Sequence, residues 1–146
     1  MKHLLSPLLL AVALAVAACN GLFRKVIPAD NDRCHVCHIN YADEKLALTH
    51  AKQGVGCERC HGPSNAHCGS ETHEIPPDIM YPHPKINPSC MTCHPKEKLG
   101  GQEMHCMVLD PNPPMKRYCT DCHGTHRLSE RKVRWDKATR NLLPQR

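Results

Sequence analysis

The chain has 146 residues, a formal net charge of +5, 11 cysteines and 12 histidines. Aromatic side chains make up only 3% of it, whereas prolines number 13. This composition argues against a domain built on a large hydrophobic core, because the bulky side chains that fill a core are scarce and turn formers are abundant. The length suits one small domain.

The N-terminal sequence MKHLLSPLLLAVALAVAAC predicts an export signal at residues 1–18. Lys2 precedes an apolar run from Leu8 to Ala18, which is shorter than the roughly 20 residues of a membrane span. The V-A-A-C sequence ending at Cys19 resembles a bacterial lipobox, so we expect Cys19 to carry a lipid anchor. The alternative is an ordinary signal cleaved near Ala18, which leaves a spare thiol.

Export and lipidation set the expected location of the mature chain, residues 19–146. They predict a protein on the periplasmic side of a bacterial membrane, anchored at Cys19, and leave open whether the inner or the outer membrane holds the anchor. Nucleic acid is not an expected partner outside the cytoplasm.

Four Cys-x-x-Cys-His motifs follow, and this spacing is the attachment signature of a c-type haem. Two thiols add to the two vinyl groups of one porphyrin, and the next residue supplies the proximal imidazole to the iron. Four covalently bound haem c groups are therefore expected. The cysteines expected to hold them are Cys34, Cys37, Cys57, Cys60, Cys90, Cys93, Cys119 and Cys122. The expected proximal ligands are His38, His61, His94 and His123.

Zinc is the alternative reading of these motifs, since four Cys-x-x-Cys pairs are enough for two zinc ribbons. Histidine makes up only 12 of 146 residues, so its presence after all four pairs is no accident of composition. A zinc ribbon does not need that residue. Export also favours haem, because cytochrome c matures outside the cytoplasm.

The motifs form an internal duplication, in which each half has two motifs and two spare histidines in the same order. We divide the chain into repeat one at 34–67, a proline-rich linker at 69–89, repeat two at 90–126 and a basic C-terminal helix or tail at 127–146. The linker is predicted to be extended, because its five prolines fix their own backbone and disfavour helix at the preceding residue.

The second axial position of each iron decides the chemistry, and the duplication selects one distal histidine for each. The predicted distal ligands are His50, His67, His105 and His126. His73 and His83 are the substitutes, and His35 is either a solvent-exposed side chain or a ligand of a neighbouring haem. Methionine ligands would raise the redox potential, but histidines are sufficient, so low-potential, six-coordinate, bis-histidine haems are predicted.

Two further cysteines, Cys68 and Cys106, each follow a predicted distal histidine. They form a disulfide if the two halves pack about a pseudo-twofold axis, which an oxidising compartment permits. The other possibility is a pair of free thiols, and spacing does not decide between the two.

The expected fold class is mostly α with extensive irregular loops, a small multihaem cytochrome c fold in which the haems form the core. Helices are predicted at Ala42–Lys52, carrying His50, and at Ser129–Asn141, with Ser129 as cap and Trp135 on the less polar face. Because the haems supply the core, the apoprotein is expected to be largely unfolded.

The C-terminal segment from Arg127 to Arg146 contains seven Lys or Arg residues against two acidic ones. It is either a solvated basic tail or helix, or a docking surface for an acidic partner or lipid headgroups.

Two segments resemble the multihaem cytochromes with doubled Cys-x-x-Cys-His motifs, which include decahaem periplasmic components of extracellular electron conduits. HAKQGVGCERCHGPSNAH, from His50 to His67, resembles their H-A-x-x-x-V-x-C-x-x-C-H-G-P-x-x-x-H block. The second segment, from His105 through Val108 and the fourth motif to His126, resembles another recurring block. The resemblance covers about 34 to 126 and implies bis-histidine electron carriers with the four distal ligands named above.

The chain departs from that family in having four motifs where the decahaem proteins have ten, and in its lipobox. It also has Cys106 where a second histidine often stands. An outer-membrane barrel is therefore not implied as its partner.

The leading functional hypothesis is a lipid-anchored electron shuttle between a quinol-oxidising membrane donor and a terminal reductase or another multihaem cytochrome. It is a carrier and not an enzyme. Two alternatives stay open: a haem-containing reductase with one five-coordinate iron, and a subunit of a conducting cytochrome filament that donates spare histidines to a neighbour's haem.

Overall fold

A computed structural model describes residues 25–101, 103–128, 131 and 133–144. The predicted signal peptide at 1–18 and the predicted lipidation site Cys19 lie outside these residues. Within them the chain is mostly short helices and irregular loops with no β-strand, apart from one isolated antiparallel bridge between Trp135 and Leu142.

Eight α-helices, none longer than nine residues, make up the regular structure of the described part. In chain order they are α1 Asp32–His35, α2 Lys45–Lys52, α3 Cys57–His61, α4 Asn65–Cys68, α5 His83–Met91, α6 Lys96–Leu99, α7 Cys106–Leu109 and α8 Thr120–His123. Two 3₁₀ turns lie at Ile39–Tyr41 and Glu103–His105.

Every Cys-x-x-Cys-His motif lies on or beside one of these helices. The first starts on α1, the second coincides with α3, the third begins on α5, and the fourth ends with α8. A helical turn brings side chains three positions apart to the same face. The two cysteines of each motif can therefore reach the same group.

Helix α2 begins at Lys45, three residues later than predicted. Residues Ile39–Tyr41 form a separate 3₁₀ turn, and Glu44 takes an extended conformation as the N-cap. Its carboxylate accepts hydrogen bonds from the backbone N–H groups of Leu46 and Ala47, at 3.1 and 2.9 Å. These bonds satisfy two of the amide groups that a helix start leaves unpaired.

The predicted extended linker at 69–89 is wrong for its last seven residues, which belong to α5. Pro84 lies in the first turn of this helix, where its missing N–H would have no partner in any case and its fixed φ favours helix. Pro88 lies inside the same helix. The third motif thus begins on a helix that was not predicted, because the high proline content of this segment indicated an extended chain.

The predicted helix at Ser129–Asn141 is also wrong in the part that the structure describes, and its proposed cap Ser129 lies outside those residues. Lys137–Thr139 form a turn, closed by hydrogen bonds from Asp136 N–H to the Asn141 carbonyl and from Leu143 N–H to the Arg134 carbonyl. The Asp136 carboxylate accepts bonds from the N–H groups of Ala138 and Thr139 and from the Thr139 hydroxyl. Hydrogen bonds from backbone N–H groups to a nearby side chain compete with the hydrogen bonds of a helix, which explains why this segment is not helical.

No hydrophobic side chain in the described part of the chain is buried, and only Asn31 and Ser64 are buried at all. Val36 and Ile39, which flank the end of the first motif, are 83% and 72% exposed. These side chains therefore provide no apolar core that would stabilise the fold by the hydrophobic effect. No described helix is long and apolar enough to cross a membrane.

We expect the chain to lose its fold when nothing can attach to its motifs, because its own side chains bury no core. A variant with all eight motif cysteines replaced by alanine should give a far-UV circular dichroism spectrum of a disordered chain. The matured wild-type protein is the control. A cooperative thermal transition in the variant would contradict this expectation.

Candidate metal centres

Eight histidines lie in four pairs, and each pair joins a motif histidine to one of the four predicted distal histidines. The distances between ring centroids fall within 0.2 Å of one another. They are 5.9 Å for His38–His67, 6.1 Å for His61–His126, 6.1 Å for His94–His50 and 6.1 Å for His123–His105.

This separation fits a metal ion held between two imidazoles. With metal–nitrogen bonds of about 2.0–2.1 Å and each ring centroid about 1.1 Å behind its ligating nitrogen, two trans imidazoles have centroids about 6.3 Å apart. The described residues contain no cluster of three or more His, Cys, Asp or Glu side chains placed to hold one metal ion. The imidazoles in this part of the chain lie two by two, an arrangement in which one metal ion could take two histidine ligands.

Two of the pairs cross between the halves of the chain. His38–His67 and His123–His105 each lie within one repeat, whereas His50 of repeat one faces His94 of repeat two. In the fourth pair His126, near the end of repeat two, faces His61 of repeat one. The two repeats are thus interlocked, which their order in the sequence did not reveal.

Hydrogen bonds orient the predicted distal rings through Nδ1. His50 Nδ1 lies 2.9 Å from the Leu46 carbonyl, His67 Nδ1 2.6 Å from that of Ile75, and His105 Nδ1 3.2 Å from that of Leu99. His61, a predicted proximal ligand, is oriented in the same way, with its Nδ1 3.0 Å from the Ile79 carbonyl. In a neutral imidazole, an Nδ1–H donated to a carbonyl leaves Nε2 without a proton, as a metal ligand must be.

Burial also favours the neutral form of two proximal histidines. It lowers the pKa of His61, and the nearby His126 lowers it further, although the hydrogen bond to the Ile79 carbonyl opposes this. Burial likewise lowers the pKa of His38, with a further contribution from His67. A lowered pKa keeps the imidazole unprotonated at neutral pH and available to bind a metal ion.

The fifth oriented ring, His126, differs from the others in its partner. Its Nδ1 lies 3.0 Å from Oε2 of Glu44, the residue that caps α2. Burial alone would raise the pKa of Glu44, but hydrogen bonds from Ala47 N–H, from Leu46 N–H and from His126 outweigh it, so this pKa lies below its ordinary value. Glu44 is therefore ionised at neutral pH.

The first cysteines of the two motifs within each repeat lie close to each other. Burial raises the pKa of Cys34 to about 11, helped by a hydrogen bond with Cys57. A shared hydrogen bond lowers the pKa of Cys90 to about 6 and raises that of Cys119. Burial raises the pKa of Cys60, and the nearby Cys90 raises it further. The four motifs therefore follow one another in space from first to fourth.

One asparagine in each half joins the two motifs of that half, and the sequence analysis missed both. Oδ1 of the buried Asn31 accepts a hydrogen bond from Cys57 N–H at 2.9 Å, and Oδ1 of Asn87 accepts one from Cys119 N–H at 2.9 Å. Both asparagines stand three residues before the first cysteine of their own motif. The shared N-x-x-C pattern was the signal that could have identified them.

A glycine beside Asn31 makes this contact possible. A Cβ atom on Gly56 would lie 2.8 Å from Asn31 Oδ1, closer than side chains approach in folded proteins. The absence of a side chain at position 56 therefore leaves room for the Asn31 amide beside the start of α3.

The remaining candidate ligands belong to none of the four pairs, although His35 and His73 lie close enough to His38 to contribute to its lowered pKa. His83 stacks on Tyr118 with ring centroids 4.8 Å apart, and His73 adopts a left-handed backbone conformation. Nε2 of His35 is buried without a hydrogen-bond partner. Cys68 and Cys106 are both unpaired in this structure, and Cys68 lies near Cys34.

The described part of the basic C-terminal segment packs against the end of repeat one and against the linker. Trp135 donates its indole N–H to the Glu74 carbonyl at 2.9 Å and meets His67 edge-on. Burial lowers the pKa of Lys137, and the nearby Arg131 and Arg127 lower it further. This segment therefore holds a cluster of three cations beside the predicted haem sites of repeat one.

No protein-family model matches the chain, and neither a curated protein nor a solved structure is significantly similar to it.

We expect Asn31→Ala to destabilise the matured protein by about 1–3 kcal/mol, because it leaves the half-buried Cys57 N–H without an acceptor. Guanidinium unfolding followed by absorbance measures this. The matched control is Asn65→Ala, which removes an exposed hydrogen bond to Arg33 and should cost less than about 0.5 kcal/mol. Equal losses in the two variants would contradict the role of Asn31.

Proposed function

We propose that this protein is a tetrahaem c-type cytochrome that carries electrons by outer-sphere transfer. The observation that carries the proposal is the set of four opposed histidine pairs, each with one motif histidine and one distal histidine at about 6 Å. Haem c at each motif would be held by the two cysteines and by both imidazoles. Low-spin iron with two neutral imidazole ligands supports electron transfer at low potential.

An electron carrier is favoured over a reductase because a second histidine lies about 6 Å from each motif histidine, so that a haem iron at each site would have two histidines available as ligands. A reductase needs one open position at which a substrate binds the iron. His35, His73 and His83, the histidines outside the pairs, are not required as ligands.

The closeness of successive motifs supports electron transfer along the protein. The thiols of Cys34 and Cys57, of Cys60 and Cys90, and of Cys90 and Cys119 influence one another directly. Groups attached at these positions would form one continuous series from the first motif to the fourth. Electrons entering at one end could then leave at the other.

The partners and the cellular location of the protein are proposed from its sequence. A lipid on Cys19 would tether the protein to the periplasmic face of a membrane, where a quinol-oxidising donor supplies electrons and a terminal reductase or another multihaem cytochrome accepts them. The cluster of Arg127, Arg131 and Lys137 offers an acidic partner a complementary surface.

Electron paramagnetic resonance of the oxidised protein should resolve two kinds of low-spin haem in a ratio of three to one. Three histidine pairs have nearly parallel planes, at 15°, 17° and 29°, whereas His50 and His94 lie at 77°. Parallel imidazoles split the iron d orbitals and give rhombic spectra. Perpendicular imidazoles leave two of these orbitals nearly degenerate and give one highly anisotropic signal.

Carbon monoxide should leave the absorbance spectrum of the reduced protein unchanged. A carbon-monoxide-binding, high-spin haem would indicate the reductase instead.

The interlocked ligation predicts which signal each distal histidine controls. His50→Ala should abolish the highly anisotropic signal, because His50 faces His94 of the third motif, although it is closer in sequence to the second. The matched variant His67→Ala should remove one rhombic signal and keep the anisotropic one. In both variants one new high-spin haem should appear and bind carbon monoxide. Loss of a rhombic signal in His50→Ala would contradict the pairing.

A further inference from the structure

Glu44 contacts a histidine of one candidate metal centre and caps the helix that carries a histidine of a second. Its carboxylate caps α2, the helix that carries His50, and the same Oε2 atom lies 3.0 Å from His126 Nδ1. The other four oriented rings, at His50, His61, His67 and His105, have backbone carbonyls at Nδ1. Within the described residues, His126 alone has an anionic partner among the five oriented histidines.

The surroundings hold this contact in place. The Glu44 side chain is 11% exposed and that of His126 is 27% exposed. Tyr41 stacks on the His126 ring with centroids 4.6 Å apart. Gly124 has φ +147, and a Cβ there would collide with Glu44 Oε1, so the absence of a side chain leaves room for the carboxylate.

A carboxylate acceptor changes what an imidazole gives to a metal ion. It draws the Nδ1 proton toward itself and increases electron density at Nε2, and such an outer partner raises the basicity of the ligand. A more basic ligand stabilises ferric iron relative to ferrous iron. Partial burial strengthens the effect, because the ion lies in a medium of lower dielectric constant than water.

We propose that Glu44 is a positioning residue that lowers the redox potential of one haem, the one ligated by His61 and His126, below those of the other two haems with near-parallel ligands. This inference rests on the proposed function. It concerns a one-electron equilibrium, in which the iron of that site accepts an electron less readily while the proton stays shared between His126 and Glu44.

The test is a potentiometric titration of the matured protein, followed by electron paramagnetic resonance, for wild type and Glu44→Gln. Glutamine keeps an oxygen that can cap α2 but removes the charge. We expect the reduction equilibrium of one rhombic haem to shift about tenfold toward the ferrous form, which equals about 59 mV for one electron. The other three potentials should not move.

The matched control is Asp43→Asn, which removes one exposed charge at the neighbouring position. It should leave all four potentials within error of wild type, because an exposed charge is screened by water. If Glu44→Gln shifts the anisotropic haem of His50 and His94 equally, Glu44 acts as a helix cap and the inference is overturned. No shift in either variant also overturns it.

A second measurement needs no change at Glu44. In wild type, one rhombic haem should be reduced at a lower potential than the other two, and that step should be missing in His126→Ala. The inference is overturned if His126→Ala removes a different step. A matured protein without a haem absorption band overturns the proposed function itself, and this outcome is recognised before any potential is measured.

Discussion

The opposition of two imidazoles across each candidate metal centre is the constraint on which the rest of this structure depends. No described hydrophobic side chain is buried, so burial of apolar protein surface cannot hold the chain together. Two of the four pairs, His50–His94 and His61–His126, join segments from different repeats. Each of these two pairs closes a long loop, and the closure lowers the conformational entropy of the chain. Favourable interactions of the histidines, including those with the group that they bind, have to offset this loss.

Polar contacts define the remaining geometry. Asn31 and Asn87 fix the spacing of the two motifs within each half, and Nδ1 hydrogen bonds set the orientation of the distal rings. Ser64 contributes similarly in repeat one: its N–H and hydroxyl exchange hydrogen bonds with Asp78, at 2.7 and 3.1 Å. Directional bonds of this kind specify a path for the chain where packing cannot, since a buried polar group that lacks its partner is costly.

The sequence selected four histidines as predicted distal ligands, but it gave no signal of which motif histidine each would lie near. Order along the repeat selected His50 and His105 as counterparts, yet His50 lies opposite the other repeat and His105 opposite its own. Local chemistry explains the wrong elements: Asp136 captures the amides that a helix at 129–141 would need, and Pro84 starts a helix inside the predicted linker. A contact between residues far apart in the chain leaves no mark in the sequence around either residue. A capping carboxylate or a proline acts on the residues next to it, so its effect can be recognised once its position relative to the helix is known.

Interlocking has a consequence for how such a chain is made. His61 meets its partner only when His126, beyond the last motif, has been delivered, so the second site cannot close on a partial chain. If the chain is exported and carries haem as proposed, a polypeptide that neither buries a core nor closes its sites early would remain extended after export. Every Cys-x-x-Cys-His segment would then stay open to the enzyme that attaches haem, and folding would be delayed until attachment is complete.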